Sequence, residues 1–154
     1  RYLSTEPHNG RGTLAWDTYN DAVFSLASGD VLDWYAKSNA IQAGPLMLYN
    51  GNAIWADEGF NNALISARHP RSAVGMNTSG QWVFMVVDGR NGMHSSGATI
   101  SELTEILRSR NVNYALNLDG GGSTEIIING RMYNLPSDGY ERNISYALGV
   151  LSRE

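Results

Sequence analysis

The stretch Asn117-Leu118-Asp119-Gly120-Gly121-Gly122-Ser123-Thr124 constrains this chain more than any other. An apolar run, residues 113–118, ends on a carboxylate, and three glycines then leave only backbone beside it. Glycine has no side chain and accepts positive φ, so a strand entering such a run stops there and its main-chain N–H groups can curl around an anion. A plain strand-to-loop turn would use the same residues, and the rest of the sequence has to decide between the two.

A chain of 154 residues with 42% apolar content fills one core and leaves little for a second. The expected organisation is one compact domain. Within it, residues 1–39 form an N-terminal arm, a hairpin and a short helix, and residues 40–154 form the main body. The hairpin is expected from 13–16 and 21–27, and the helix from Asp30 to Lys37. Residues 40–49 read as a strand broken by Gly44-Pro45, and Asn50-Gly51 is a two-residue hairpin turn into 53–55. Residues 57–67 read as a loop with a helical turn, with Asp57 and Glu58 as surface charge. A second hairpin spans 72–87. Thr99-Ile100-Ser101-Glu102 is a capping box, and Ile100, Leu103, Ile106 and Leu107 make one apolar helix face. After the strand at 113–118, residues 125–134 turn back on Asn129-Gly130, 136–142 form a polar loop, and 144–151 are expected to be a closing strand. Many hairpins and two clear helices predict an α+β fold, a twisted, mixed or mostly antiparallel sheet with helices packed on it.

The formal charge of −4 and the lack of any Lys/Arg cluster argue against binding nucleic acid along a surface. An anion would be held locally, by a few placed arginines. Without cysteine there is no thiolate chemistry, and the compartment stays open. No apolar run reaches membrane-spanning length. The start at Arg1 is neither an initiator Met nor a signal-peptide core, so the chain reads as an excised domain or a processed product. Oligomeric state leaves no trace in the sequence.

Two carboxylates, Asp88 and Asp119, each follow an apolar run and precede glycine, which places both at strand ends. Arg71 opens the strand before Asp88, Arg90 follows it by two residues, and Arg142 lies in the last loop beside Glu141. Guanidinium groups bind phosphate through paired hydrogen bonds, so arginines around a glycine nest suit a phosphodiester. Taken singly, each Asp-Gly is also an ordinary turn and each Arg also an ordinary surface charge. His94, in a glycine-rich loop, could contact substrate or shuttle a proton, although a loop histidine is more often simply exposed. His69, held extended by Pro70, is given no catalytic part. Tyr140, between Gly139 and Glu141, is a candidate sugar contact, whereas Trp82 belongs with the core. The three histidines lack metal-ligand spacing, no cofactor is expected, and an oxygen-ligated cation near Asp119 is left open.

The ordered set His69-Pro70-Arg71, Val87-Asp88-Gly89-Arg90, Asn117-Leu118-Asp119-Gly120-Gly121-Gly122-Ser123 and Pro136-Ser137-Asp138-Gly139, followed by Glu141-Arg142, resembles the phosphodiester glycosidase family. Gln42-Ala43-Gly44-Pro45, ahead of an apolar strand, resembles that family's first half. The likeness covers residues 40–151. It implies an exported hydrolase that breaks the bond between the anomeric carbon of a sugar, of the N-acetylglucosamine type, and a phosphate joined to a second group. On that reading Arg71, Arg90 and Arg142, with Gln42 and the backbone of Gly120, Gly121, Gly122 and Ser123, bind substrate and phosphate. Asp119, Asp88 or Glu141 supplies the carboxylate at the reacting carbon. Two other readings stand beside it: a phosphodiesterase that cuts P–O in the same pocket, and a non-catalytic module recognising a glycan or sugar phosphate.

Overall fold

The computed structural model describes residues 8–26 and 37–152. Three strands form a first antiparallel sheet: β1 (Gly12–Trp16), β2 (Ala22–Leu26) and β3 (Asn39–Ala43), in the order β2-β1-β3. A second sheet has five: β4 (Leu46–Tyr49), β5 (Asn52–Ala53), β6 (Arg71–Asn77), β7 (Trp82–Val87) and β8 (Val112–Asn117), in the order β5-β4-β8-β6-β7. A small hairpin, β9 (Ile127–Ile128) and β10 (Arg131–Met132), stands apart. The helices are α1 (Asn62–Ser66) and α2 (Ile100–Ser109). Every pairing is antiparallel, and the fold is α+β. The predicted helix at 30–37 lies almost wholly outside the described residues.

Successive residues of a strand face opposite sides of its sheet, so the five-stranded sheet sorts its side chains into two cores. Ala73 and Ala115 turn toward α2 and pack with Met47, Ile100, Leu103 and Leu107. Val74 and Leu116, one step along, turn the other way and pack with Leu14 and Phe24 of the three-stranded sheet. Helix, sheet and sheet are thus stacked, with the five-stranded sheet in the middle. Both faces being covered explains why β4, Leu46-Met47-Leu48-Tyr49, reads as a continuous apolar run. Trp82 joins the second core at its open margin, stacked on Phe84 and edge-on to Trp16.

Local signals set the turns. Asn50-Gly51 and Asn129-Gly130 both have positive φ at each position, as their hairpins require. The capping box forms as read: Thr99 Oγ1 accepts from the Glu102 N–H and a Glu102 carboxylate oxygen accepts from the Thr99 N–H.

Three expectations are corrected. Residues 144–151 form no strand: the alternation of Ile144, Tyr146, Leu148 and Val150 suits one, but the segment pairs with no strand among the described residues, and of its side chains Leu148 alone packs against the core. Glu58 is not surface charge. Its two carboxylate oxygens accept the N–H groups of Gly12 and Leu46 at 2.7 Å each, tying β1 to β4, and burial pushes its pKa above the ordinary value. Arg71 is buried, with 3% of its surface exposed. Its guanidinium donates to the carbonyl oxygens of Ala98, Leu64 and Ala67 at 2.7 to 3.0 Å, so it joins α1 to the segment before α2 rather than facing a ligand.

Three outcomes follow for stability. Thr99→Ala should cost about 1 kcal/mol in urea unfolding, the usual loss for a helix cap. The N–H of Thr99, then Arg68, hold the Glu102 pKa below its ordinary 4.5. The stabilisation that Glu102 gives is therefore complete above that pH and lost as pH falls below it, and the stability gap between wild type and Glu102→Gln should close on acidification. Arg71→Met strands three carbonyl oxygens and should cost about 3 kcal/mol in the same measurement.

Candidate functional site

The rim of the five-stranded sheet brings the two aspartates together. β6 runs between β7 and β8 and antiparallel to both, so β7 and β8 finish at the same end, where β6 begins. Val87 pairs with Arg71, and the Leu118 N–H donates to the Ser72 carbonyl. Asp88 and Asp119 therefore leave the sheet on one edge with one strand between them, a backbone separation of about 10 Å from strand spacing.

Glycine is required immediately after each aspartate. A Cβ on Gly89 would lie 2.7 Å from Pro70 N, and one on Gly120 would lie 2.6 Å from Pro70 O. Pro70 is wedged between the two Asp-Gly turns, and the Gly121 N–H donates to its carbonyl at 3.0 Å. Gly121, Gly122 and Ser123 then make a turn of 3-10 helix.

Two guanidiniums lie on this bare backbone. Arg90 covers Gly121, with Nη2 and Nη1 3.1 and 3.2 Å from where a Cβ would be. Arg142, together with the Asp138 carboxylate that pairs with it, covers Gly122: Asp138 Oδ2 lies nearest the equivalent point, with Arg142 Nη2 and Cζ 2.5 and 2.7 Å from it. Arg90 itself has φ 57°, a left-handed conformation that costs a side-chain-bearing residue about 1–2 kcal/mol. Its nearest polar partner is His69 Nδ1 at 3.5 Å, and among the described residues it pairs with no carboxylate. Arg142 is held by Asp138, which raises its pKa, and its backbone N–H donates to Glu125 at 3.0 Å.

The two carboxylates differ. Asp119 is exposed and accepts from the Gly120 N–H at 2.9 Å. Asp88 is largely covered: Oδ1 accepts from Asn134 Nδ2 and from the Leu135 N–H, both at 3.1 Å, and Oδ2 lies 2.9 Å from His94 Nε2. Asp88, Arg90, His94, Leu135, Ser137 and Gly139 are among the residues lining a cleft of about 440 Å³. The Ser137 hydroxyl is buried there without a partner among the described residues.

Of the residues expected from sequence, Asp88, Asp119, Arg90, Arg142, Gly120, Gly121, Gly122 and Ser123 gather at this rim. Glu141, beside Arg142, is exposed. Arg71 lies under the rim. Gln42 reaches Thr13 Oγ1 and both backbone groups of His8, and so fastens the chain ahead of β1. Sequence reading missed Asn134, Ser137 and Asp138 as members of the site. The last two stand in the quoted Pro136-Ser137-Asp138-Gly139 motif, whereas Asn134 carries no local signal. Among the described residues no three His, Asp or Glu side chains are grouped to hold a metal ion, and no helix is long and apolar enough to cross a membrane.

Comparison with known proteins gives these residues their setting. The sequence profile of the phosphodiester glycosidases matches residues 2–151. The SPbeta prophage-derived protein YomE of Bacillus subtilis (strain 168) is 37% identical over 96 residues, 62% of this chain and 14% of YomE. The N-acetylglucosamine-1-phosphodiester alpha-N-acetylglucosaminidase of Mus musculus is 32% identical over 108 residues, covering 68% of this chain and 20% of that enzyme. The Homo sapiens enzyme is 31% identical over 132 residues, 83% of this chain and 24% of its own length. The chain thus spans less than a quarter of each of these relatives. The zebrafish catalytic domain, auto-inhibited by its pro-peptide, superposes with a TM-score of 0.69 at 24% identity, covering 83% of this chain and 45% of that one. A crystal structure from Synechocystis gives a TM-score of 0.62 at 19% identity over 86% of this chain and 32% of that one. By the extent of the profile match, this chain belongs to the phosphodiester glycosidase family.

Proposed function

We propose that the cleft hydrolyses the glycosidic bond of a sugar 1-phosphodiester of the N-acetylglucosamine type. The observation that carries this reading is Arg90, a cation without a carboxylate partner among the described residues, lying with Arg142 over side-chain-free backbone beside Asp119. Two guanidiniums on a glycine surface can each present N–H groups to a phosphate that sits close to the main chain. The orphaned Ser137 hydroxyl is a further contact that a polar ligand would satisfy.

The leaving group sets what the cleft has to do. Breaking the anomeric C–O bond releases a phosphate monoester, whose second ionisation lies near pH 6, so it departs more readily than an alcohol. Electrostatic neutralisation by Arg90 and Arg142 can take the place of the strong carboxylic acid that ordinary glycosidases need. Asp119, exposed and lightly bonded, is the carboxylate for the oxocarbenium-like carbon, with Glu141 as the alternative. Tyr140, exposed next to Gly139 of the cleft wall, is our candidate for stacking on a sugar face. Export from the cytoplasm belongs to the same proposal, by family resemblance.

Hydrolysis of the methyl diester of N-acetylglucosamine 1-phosphate in ¹⁸O water tests the reading. Label is expected in the released sugar; label in the phosphate would mean P–O cleavage, and no turnover would favour a binding module. Asp119→Asn should lower kcat by about 10² to 10³ with an unchanged circular dichroism spectrum.

The arginines can be separated from stability. Arg90→Gly relieves the left-handed backbone, so its unfolding midpoint should hold or rise while KM increases about tenfold. Gly122→Ala pushes the Asp138–Arg142 ion pair off the backbone and should raise KM to a similar degree. Unchanged KM in both variants would remove the arginines from phosphate binding.

A further inference from the structure

The Asp88–His94 pair has a polarity that the phosphate-binding groups do not explain. His94 lies in the loop between β7 and α2 and lines the cleft, its side chain 49% exposed. Asp88 is 15% exposed, and its carboxylate is filled by Asn134 Nδ2, the Leu135 N–H and His94 Nε2. A carboxylate with both oxygens engaged is a poor nucleophile and a good anchor. An ionised carboxylate only accepts hydrogen bonds, so the ring nitrogen facing it carries the hydrogen. In the neutral imidazole the lone pair then sits on Nδ1, and none of the described residues bonds that atom.

We infer that His94 is the general base of this cleft, acting through Nδ1, and that Asp88 is its positioning residue. The inference rests on the sugar-phosphodiester reading above. Water donates one proton to His94 Nδ1 as its oxygen bonds to the anomeric carbon. The bond from that carbon to the phosphate oxygen breaks, and its electron pair leaves with the phosphate. The products are the free sugar and a phosphate monoester, and the imidazolium then returns its proton to solvent. Asp88 stabilises the imidazolium as it forms and fixes the ring tautomer throughout. The charged groups around the ring are Asp88 at the end of β7 and Arg90 on the same cleft wall; the facing segment, Leu135, Pro136, Ser137 and Gly139, brings none.

Chemical rescue separates this role from a structural tie. His94→Ala should lose about 10² or more in kcat on the methyl diester of N-acetylglucosamine 1-phosphate at nearly unchanged KM. Added imidazole should restore much of the loss in His94→Ala and none in Asp88→Asn. His94→Gln, which keeps polarity without a base, should be as slow as His94→Ala. Wild-type turnover in His94→Ala, a loss confined to KM, or no response to imidazole would overturn the inference. Long-range ¹⁵N–¹H correlation of the His94 ring provides a readout independent of turnover. The Nε2–H tautomer is expected in the wild type, with loss of that preference in Asp88→Asn; an Nδ1–H tautomer in the wild type would overturn the assignment. If the wild type turns over no sugar phosphodiester, the functional reading fails, and the tautomer alone then decides whether Asp88 orients a basic His94.

Discussion

Contact between the Pro70 backbone and the glycines on either side of it fixes the geometry of the whole rim. Gly89 and Gly120 approach Pro70 so closely that no side chain fits at either position. The next residues along each turn, Arg90 and Gly121, are thereby brought into contact with one another. Arg71 holds the wedge from below through three carbonyl oxygens, and His69 holds it from the side by exchanging backbone hydrogen bonds with Ala98. His69-Pro70-Arg71 is thus a scaffold motif. Pro70 touches the site through main chain and His69 through its ring, which faces Arg90, while the buried Arg71 side chain acts from beneath.

The layered core supports that rim. With α2 on one face and the three-stranded sheet on the other, the central strands β8 and β6 are fixed on both sides, and the positions at which they end are fixed with them. Glu58 adds a polar tie across this packing by receiving N–H groups from β1 and β4 at once. Its cost is a carboxylate partly removed from water, which is the cause of its raised pKa. The loops, by contrast, are held through single polar residues: Asn134 accepts from Ile126, and donates to Thr124 and Asp88. A cleft built in this way joins a rigid edge to a wall that depends on a few hydrogen bonds.

How far the sequence revealed this depended on whether the signal was local. Hairpin turns at Asn50-Gly51 and Asn129-Gly130, the Thr99 capping box and the apolar strands were all legible, because each rests on neighbours within a few residues. The gathering of Asp88, Asp119, Arg90 and Arg142 was legible only as an ordered set of motifs, with the glycines standing for close approach. What failed was non-local. Nothing near Arg71 indicates that three carbonyl oxygens will surround it, and nothing near Glu58 indicates two remote N–H donors. The alternation at 144–151 reports a preference for β structure but says nothing of whether an edge is free to pair.

The unequal surroundings of the two aspartates carry the functional argument furthest. Both leave the same edge of the same sheet and both precede glycine, so the sequence treats them alike. In the structure Asp88 has its acceptor capacity used by an amide, a backbone N–H and an imidazole, while Asp119 keeps most of its own within the field of the Arg142 guanidinium. A carboxylate that must meet a developing positive charge at a sugar carbon needs unspent lone pairs and room; one that must orient a base needs neither. Environment therefore distinguishes the two carboxylates where residue type does not, and it does so through Asn134 and Leu135, residues remote from both aspartates in sequence.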